Sequence, residues 1–401
     1  MKIELHTLQN FPPANLNRDD TGSPKDCEFG GVRRGRISSQ CRKRSIRTSG
    51  VFKQHLGEHI AIRTKQSNKP LAERLVARHG FDEEEAQELA RAIVEQMLGW
   101  DDAKGWTKVL FYVGYDELDR LAELIDEHAD ALRETLHAVL ALGDEATKED
   151  RNVAKKALKE AMAGIVKVFT KEQKDHVRAV DIALFGRMLA EVPGMNIDAA
   201  CQVAHLISTN KVDMDFDYFT AVDDLNPKEE TGAGMIGTTG FNSSCFYGYA
   251  LIDADQLAQN LGGDRELAVE GIRAFLTASL YAIPTGKQNS FAAQTPPSLF
   301  MAVVRENGAM PWSLANAFVG PIAPPKRDTD PSLIAASVGA LDDHWHSLAD
   351  MYGDEGTQVY LKVAKDAGMV ANLADAQVPT AKAVIDAVAE ALGSWAGGQT
   401  V

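Results

Sequence analysis

Segments with strand-like and helix-like periodicity follow one another in an order that limits the fold of this chain more than any other feature does. Residues 2–8 (KIELHTL) and 212–219 (VDMDFDYF) alternate with the period of two that is typical of β-strands. Residues 32–37 (VRRGRI) are predicted to form a short strand, and a further strand is expected from residue 240 onward. LFMAVVRE, at residues 299–306, has the continuous apolar run of a buried strand.

Two amphipathic helices are expected between these strands. Ser38 or Ser39 can cap the first helix, and Gly50 is expected to end it. Asp264 is expected to cap the second. The resulting order of strand, helix, strand, strand, helix and strand is the ferredoxin-like order used by RNA-recognition motifs, which predicts an α+β fold. The aromatic signature with which those motifs stack bases is missing here, so base stacking on the sheet is not expected.

A long helical region interrupts the strands, and most of the acidity of the chain lies within it. Residues 81–150 hold 20 acidic and 6 basic residues, whereas the remainder of the chain holds 37 acidic and 36 basic residues. Almost all of the net charge of -15 therefore belongs to one insertion, and the acidic isoelectric point does not argue against nucleic-acid binding elsewhere.

The opposite charge is concentrated between residues 33 and 53, where no carboxylate occurs. Eight basic residues lie in this stretch: Arg33, Arg34, Arg36, Arg42, Lys43, Arg44, Arg47 and Lys53. On the predicted helix the spacing i, i+3, i+4 and i+7 places one amide and three cations on a single face, namely Gln40, Lys43, Arg44 and Arg47. Free backbone N–H groups beside Ser38 and Ser39 would favour an anion at the start of the helix. A solvated basic helix without a ligand is the alternative.

Composition indicates a globular chain of 401 residues whose 45% apolar content can bury a sizeable core. The N-terminal residues lack the pattern of a signal peptide, and no apolar run approaches the ~18 residues of a membrane span. We therefore expect a cytoplasmic protein without a membrane partner. The cysteines form no C-x-x-C pair and predict neither a disulfide nor zinc, and no cofactor is expected: Cys27, Cys41, Cys201 and Cys245.

Two groups of aspartates raise the alternative of a metal-dependent nuclease, which needs convergent carboxylates. Asp213, Asp215 and Asp217 alternate along a predicted strand, and Asp223 and Asp224 follow it. The period of two favours a solvated strand face, and no H-x-E, H-E-x-x-H or C-x-x-C motif accompanies them. We therefore assign no catalytic and no metal-binding residue.

Several long blocks of sequence, in a fixed order, identify a family resemblance. These blocks are LNRDD, FGGVRRGRISSQCRKRSIRTSG, VDIALFGRM, AHLISTNKVDMDFDYFTAVDDL, GTTGFNSSCFYGYA and PTGKQNSFAAQTPPSLF. With them the chain resembles the backbone (CasC) subunit of the type I-E CRISPR surveillance complex, Cascade. The resemblance covers much of residues 1–318, apart from a divergent stretch at about 55–178.

The resemblance implies a non-catalytic scaffold that oligomerises along the CRISPR RNA, kinks it at regular intervals and presents it for pairing with target DNA in antiviral defence. Further copies of the chain and the large, small, tail-capping and guide-processing subunits are the implied protein partners. The alternatives are a metal-dependent ribonuclease, as in the related type III backbone subunits, and a solitary, sequence-specific RNA-binding module.

The resemblance also implies a division of the chain into a palm, helical fingers and a thumb hairpin. The palm would comprise residues 1–54, 180–204 and 241–318. The fingers would be an insertion at 55–179, and the thumb would be the hairpin 205–240. Residues 319–401, where the resemblance thins, are expected to serve packing and interfaces.

Family resemblance and charge together give the expected RNA-binding residues. Asn17 and Arg18 could instead support their turn, Met188 could be core filler, and residues 284–297 could be an ordinary surface loop. In the family, the position of Met188 wedges between bases, and Phe219 and Thr220 match the thumb tip. The full set is Asn17, Arg18, Lys25, Arg33, Arg34, Arg36, Ser38, Ser39, Gln40, Arg42, Lys43, Arg44, Arg47, Met188, Tyr218, Phe219, Thr220, Lys287 and Gln288.

Overall fold

The structure is a computed structural model that describes residues 1–142, 146–174, 176–221 and 235–397. Its strands are β1 Lys2–Ala14, β2 Asp26–Phe29, β3 Val32–Ile37, β4 Ala61–Thr64, β5 Trp100–Asp101, β6 Trp106–Thr107, β7 Phe111–Gly114, β8 Cys201–Val203, β9 Leu206–Ser208, β10 Asp215–Ala221, β11 Met235–Asp253, β12 Leu299–Arg305 and β13 Thr357–Val363. Its α-helices are α1 Ser39–Thr48, α2 Gly50–Leu56, α3 Asn68–His79, α4 Glu83–Leu98, α5 Tyr115–Glu127, α6 Ala129–Leu140, α7 Lys148–Glu172, α8 Val180–Phe185, α9 Ala254–Asn260, α10 Arg265–Tyr281, α11 Gln288–Phe291, α12 Leu333–Tyr352 and α13 Ala381–Ala396.

Two compact units make up the chain. The sheet unit consists of Met1–His55, Cys201–Ala254 and Ile272–Val401, and the helical unit consists of Leu56–Ala200 and Asp255–Gly271. In the part of the chain that the structure describes, no helix is both long enough and apolar enough to cross a membrane.

A single large sheet organises the first unit. Its strand order is β13-β12-β1-β11-β9-β3-β2, with β8 and β10 also paired to β11. Every pairing between these strands is antiparallel. The first strand of the chain therefore lies at the centre, between β12 and β11, and β8 and β9 lie on the far side of β11.

Strand β1 is buried on both faces, because helices cover the sheet on both sides. Leu5 faces a small void that is also lined by Ile46 of α1 and Phe275 of α10. Leu8, on the opposite face, belongs to a core cluster with Trp345 of α12. The sequence predicted this strand over residues 2–8, and the structure continues it to Ala14 with an irregularity after Phe11.

Buried polar groups attach the C-terminal part of the unit to the sheet. Glu4 forms a buried ion pair with Arg305 and accepts a hydrogen bond of 2.8 Å from the backbone N–H of Trp312. The hydroxyl of Tyr247 accepts a second, also of 2.8 Å, from the backbone N–H of Leu314. The segment that precedes α12 is thereby fixed at two successive points, as buried polar groups require partners.

The helical unit has its own core, which α3 to α7 form from one face of each helix. Leu75, Ile93, Leu121, Ile165 and Phe169 are among its fully buried residues. Residues 180–200 also pack in this unit, whereas the sequence placed 180–204 with the sheet. The physical reason is a set of buried contacts: the backbone N–H of Val180 donates to the carbonyl of His59, and that of Ala61 donates to Asp181.

The end of the basic helix differs from the prediction. Helix α1 is capped at its C-terminal side by Ser49, whose backbone N–H donates to the carbonyl of Ile46. Gly50 begins α2 instead, and its backbone dihedral φ is not positive. The chain turns at Ser49 in an extended conformation, which any residue can adopt, so a left-handed glycine is not needed here.

Candidate nucleic-acid interface

The outward face of α1 carries the donors that the spacing predicted. Gln40 and Arg44 are exposed, and Lys43 and Arg47 are half-buried at the same side of the helix. Ile46 is buried on the opposite side. Ser38 caps the helix, because its hydroxyl accepts a hydrogen bond of 3.2 Å from the backbone N–H of Cys41. The arrangement presents cations and one amide at spacings suited to phosphate oxygens.

Strand β3 places its arginines on different sides. Arg33 has a side chain that is 64% exposed and lies 3.3 Å from the carboxylate of Asp26. Arg36 is half-buried and donates from Nε to the carbonyl of Asp26. Both cations remain at the surface, where they can meet an anionic ligand.

Arg34 was predicted to bind RNA, but the structure buries it completely. Its guanidinium donates five hydrogen bonds of 2.7–3.2 Å, and all the acceptors are backbone carbonyls. Burial lowers the pKa of the group. No donor is left for a phosphate, so Arg34 is a structural residue that joins three segments. The acceptors belong to Phe29, Ser208, Thr209, Phe318 and Val319.

Arg42 is the second predicted RNA ligand that lies inside the protein. Its guanidinium donates to the carbonyls of Ser279 and Ala282, at the C-terminal end of α10. Burial lowers the pKa of Arg42 to about 10, which still leaves the group charged at neutral pH. Because a cation is favourable at a helix C-terminus, Arg42 serves the packing of α1 on α10.

The N–H groups at the start of α1 were expected to be free for an anion, and the structure gives two of them protein partners. The backbone N–H of Ser38 donates to Oδ1 of Asn17 at 2.8 Å, and that of Ser39 donates to Nδ1 of His205 at 3.0 Å. The side chain of Asn17 therefore joins its segment to the start of α1, and its contact with RNA stays a prediction. No sequence signal pointed to His205, which lies 166 residues from Ser39.

The position of His205 beside cations affects its protonation. Burial lowers the pKa of this imidazole, and the positive charges of Arg36 and Lys25 lower it further. The neutral ring can accept the hydrogen bond from Ser39, whereas a protonated Nδ1 could not. The backbone N–H of Arg36 donates to the carbonyl of Lys25 at 2.9 Å, so these two residues lie side by side.

A surface cleft of about 600 Å³ lies beside α1. Arg18 is exposed at this cleft, and Asn17 and Arg44 line it together with the acidic Asp19. The hydroxyl of Thr21 donates to Asp19 and lowers the pKa of that carboxyl. The cleft thus brings three of the predicted residues together, with carboxylates at its edge.

The loop that carries Lys287 and Gln288 contains the short helix α11. Lys287 is half-buried, with a positive φ of 51°. Gln288 is turned inward: its Nε2 donates to the carbonyls of Pro284 and Ala293, and these bonds close its own loop. The amide nitrogen of Gln288, a predicted RNA-binding residue, is thus used within its own loop, and its contact with RNA stays a prediction. Lys287 remains a candidate.

Met188, in the helical unit, is not core filler. Its side chain is 90% exposed, although the flanking residues Arg187 and Leu189 are buried. An exposed, unbranched thioether can insert between other apolar surfaces, including the faces of bases.

The hairpin of β10 and β11 projects with all residues of β10 exposed. Phe219 lies over Gly237, and the alternation of the strand puts it on the same face as Asp215 and Asp217 and on the face opposite to Tyr218. Pairing continues beyond Phe219 and Thr220 to Ala221 and Met235, so these two residues precede the tip.

A metal site, the alternative raised by the aspartates, needs several ligating side chains close together. Among residues 1–142, 146–174, 176–221 and 235–397, no group of three or more His, Cys, Asp or Glu side chains could hold a metal ion. Asp223 and Asp224 lie outside the described residues.

Burial raises the pKa of all four cysteine thiols, that of Cys245 to about 11.

Comparison with solved structures places this mixed helix-and-sheet fold among the subunits of CRISPR surveillance complexes. The chain is similar to a chain of a "CRISPR RNA-guided surveillance complex, pre-nicking", with 30% identity, a TM-score of 0.77, and coverage of 98% of this chain and 100% of that chain. A chain of a "CRISPR RNA-guided surveillance complex" is 27% identical, with a TM-score of 0.69 and the same coverage.

The family model described as "CT1975-like protein" matches residues 3–391. The chain therefore belongs to the CT1975-like protein family. A search of curated proteins finds no match.

Proposed function

We propose that this chain is a non-catalytic backbone subunit of a type I-E Cascade complex in the cytoplasm. It binds the CRISPR RNA, oligomerises along it with further copies of itself, and presents the guide for pairing with target DNA. The similarity to chains of two RNA-guided surveillance complexes, each over 98% of the present chain, supports this role. Large, small, tail-capping and guide-processing subunits are the proposed partners.

The observation that carries the proposal is the two-sided character of α1. Its inner side is fixed to the sheet unit by Ile46 and Arg42, and its outer side presents Gln40, Lys43 and Arg44. A rigidly held row of donors suits a phosphate backbone, whose oxygens recur at regular intervals. Such contacts carry no sequence information, as a guide-holding protein requires, because base pairing reads the sequence.

The order of the strands supports a ferredoxin-like palm. The sheet of a β-α-β-β-α-β unit has the strand order 4-1-3-2. Here β12, β1 and β11 take positions 4, 1 and 3, β8 and β9 together take position 2, and α1 and α10 are the two helices. On this interpretation the helical unit is the fingers insertion. The β10–β11 hairpin is the thumb that kinks the RNA held by a neighbouring copy.

Purification tests the proposal most simply. The chain is produced together with a CRISPR array and the partner subunits, and the RNA that accompanies it is sized. A guide of uniform length, retained through several columns, is expected. Absence of RNA, or RNA of random length and sequence, would contradict the backbone role, and a sequence preference of the isolated chain would favour a solitary RNA-binding module.

A further inference from the structure

Met188 is held as a fixed projection. Its neighbours Arg187 and Leu189 are 5% and 3% exposed, whereas Met188 itself is 90% exposed. Two backbone hydrogen bonds of 2.9 Å join Arg187 to Ile197 in both directions, and the backbone N–H of Leu189 donates to Oδ1 of Asn196 at 2.6 Å. The backbone on both sides of the exposed thioether is therefore anchored.

The strongest of these anchors is the side chain of Arg187. Its Nη1 and Nη2 donate to the two carboxylate oxygens of Glu117 at 2.7 and 2.9 Å, a bidentate pair that is completely buried. Nε donates to the carbonyl of Met195, and Nη1 also donates to that of Tyr112. Glu117 in turn accepts a hydrogen bond from the backbone N–H of Gly114, at the N-terminus of α5. A buried ion pair whose charged groups all have hydrogen-bond partners holds the segments of Arg187 and Glu117 in one arrangement.

A glycine before the anchor makes this arrangement possible. Gly186 ends α8 with a φ of +79°, in the left-handed region, and a Cβ atom there would lie 3.0 Å from the carbonyl oxygen of Ile197. The chain can turn sharply at this point, so that Arg187 enters the helical unit and Met188 faces outward.

We propose that the buried Arg187–Glu117 pair is the positioning device for Met188, and that it sets where the thioether meets the bound guide. The inference rests on the proposed RNA contact of Met188 and names the residues through which that contact is controlled. Because Met has three rotatable side-chain bonds, the side chain cannot define a location by itself, and a fixed backbone must do so. Arg187 and Glu117 touch no RNA and act through Met188.

A double-mutant cycle tests the inference on the purified ribonucleoprotein. Guide nucleotides are probed chemically in the wild-type complex, in Glu117→Gln, in Met188→Ala and in the double variant. The measured quantity is the difference in chemical reactivity between each displaced nucleotide and its neighbours, here called the contrast. Glu117→Gln keeps an acceptor for Gly114 but removes the charge. We expect both single variants to lose contrast, and the double variant to lose no more than Met188→Ala alone.

The control is Glu4→Gln, which breaks the buried Glu4–Arg305 pair of the sheet unit. It is expected to lower thermal stability without changing the contrast. If Glu117→Gln fails to fold, Arg187→Lys provides a second variant, because Lys keeps the charge but cannot form the bidentate pair.

The outcomes separate the two proposals. No effect of Met188→Ala would remove the RNA contact itself, and with it the basis of the inference. If Met188→Ala has an effect but neither Glu117→Gln nor Arg187→Lys does, the positioning role alone is overturned. Additive effects in the double variant would overturn it as well.

Discussion

Arg42 donates a hydrogen bond from Nη1 to the carbonyl oxygen of Ala282 at 2.6 Å, and this contact joins α1 to the C-terminal end of α10. Of the neighbouring residues, Arg44 is exposed and Lys43 is half-buried. Adjacent cations on one helix therefore have different surroundings, and we propose that Arg42 holds the helix while Lys43 and Arg44 present charge.

Replacing Arg42 should reduce stability and leave the electrostatics of RNA binding unchanged. Arg42→Met removes the donors for the carbonyls of Ser279 and Ala282, so the free energy of unfolding should fall by about 2–4 kcal/mol. Chemical denaturation of the full chain measures this loss. The matched control is Arg44→Met on the exposed side of the same helix, which should change stability by less than about 0.5 kcal/mol. Equal losses in the two variants would contradict the assignment.

Deleting residues 214–238 should leave a folded protein that no longer kinks the guide. Strand β10 is exposed throughout, and β11 pairs with β1 only from Asn242 onward, so the sheet does not depend on the hairpin. Chemical probing of the intact complex should show single hyper-reactive nucleotides at regular intervals, and the deletion should abolish them.

The charge of the hairpin suggests which face turns to the RNA. Asp215 and Asp217 share one face, while Phe216 and Tyr218 share the other. Tyr218→Ala should therefore reduce the periodic reactivity more than Asp217→Ala does. Periodic reactivity that survives the whole deletion would mean that the kink is made elsewhere, with the Met188 segment as the next candidate.

Acid should destabilise the chain through His6. This ring is completely buried, and burial together with the charge of Arg305 lowers its pKa to about 3, although Glu4 lies 3.7 Å away. Between pH 6.5 and 3 the unfolded chain binds a proton that the folded chain does not, so the free energy of unfolding falls by roughly 1.4 kcal/mol per pH unit.

Urea unfolding at several pH values, on wild type and His6→Gln, isolates this contribution. The difference in unfolding free energy between the two proteins should be constant above pH 6.5. Below pH 6.5 the unfolding free energy of the wild type should fall relative to that of His6→Gln. Glu4, Tyr247 and Tyr249 also face His6 and are common to both proteins, so their titration largely cancels. Parallel pH curves would show that His6 is not buried in its neutral form.

If the chain is the non-catalytic scaffold that we propose, target RNA should survive prolonged incubation with the complex and magnesium or manganese. Asp213 lies 3.0 Å from Lys211, and Asp215 and Asp217 lie on an exposed strand. The measurement is gel analysis of labelled RNA, with Asp223→Ala and Asp224→Ala as matched variants. Metal-dependent cleavage that either variant abolishes would overturn the scaffold assignment in favour of a ribonuclease.

Several strands of the sheet could be predicted from the sequence because the pattern of apolar residues along a strand is a local property. Residues 32–37 form β3 as predicted, and the buried run at 299–306 forms β12. The outward face of α1 followed from helical spacing in the same way. Phe219 and Thr220 were assigned to the hairpin tip by resemblance, whereas pairing in the structure continues beyond them to Ala221 and Met235.

The roles of individual cations could not be predicted locally. Arg33 and Arg34 are adjacent in sequence, yet only Arg34 meets carbonyls contributed by residues 174 to 285 positions away. His205 and Ser39 are separated by 166 positions. Charge density indicates that a basic surface exists, but tertiary contacts decide which side chains remain on it.

The salt dependence of guide binding tests the central claim most directly. The affinity of the full chain for single-stranded guide RNA is measured over a series of salt concentrations for wild type, Lys43→Ala, Arg44→Ala, Arg47→Ala and Arg42→Met. Each of the three outward variants should weaken binding for all sequences alike and reduce the slope of log K against log salt by roughly 0.7 per lost phosphate contact, whereas Arg42→Met should leave the slope unchanged. Slopes that stay at the wild-type value in Lys43→Ala, Arg44→Ala and Arg47→Ala would remove this helix from the RNA path and contradict the account.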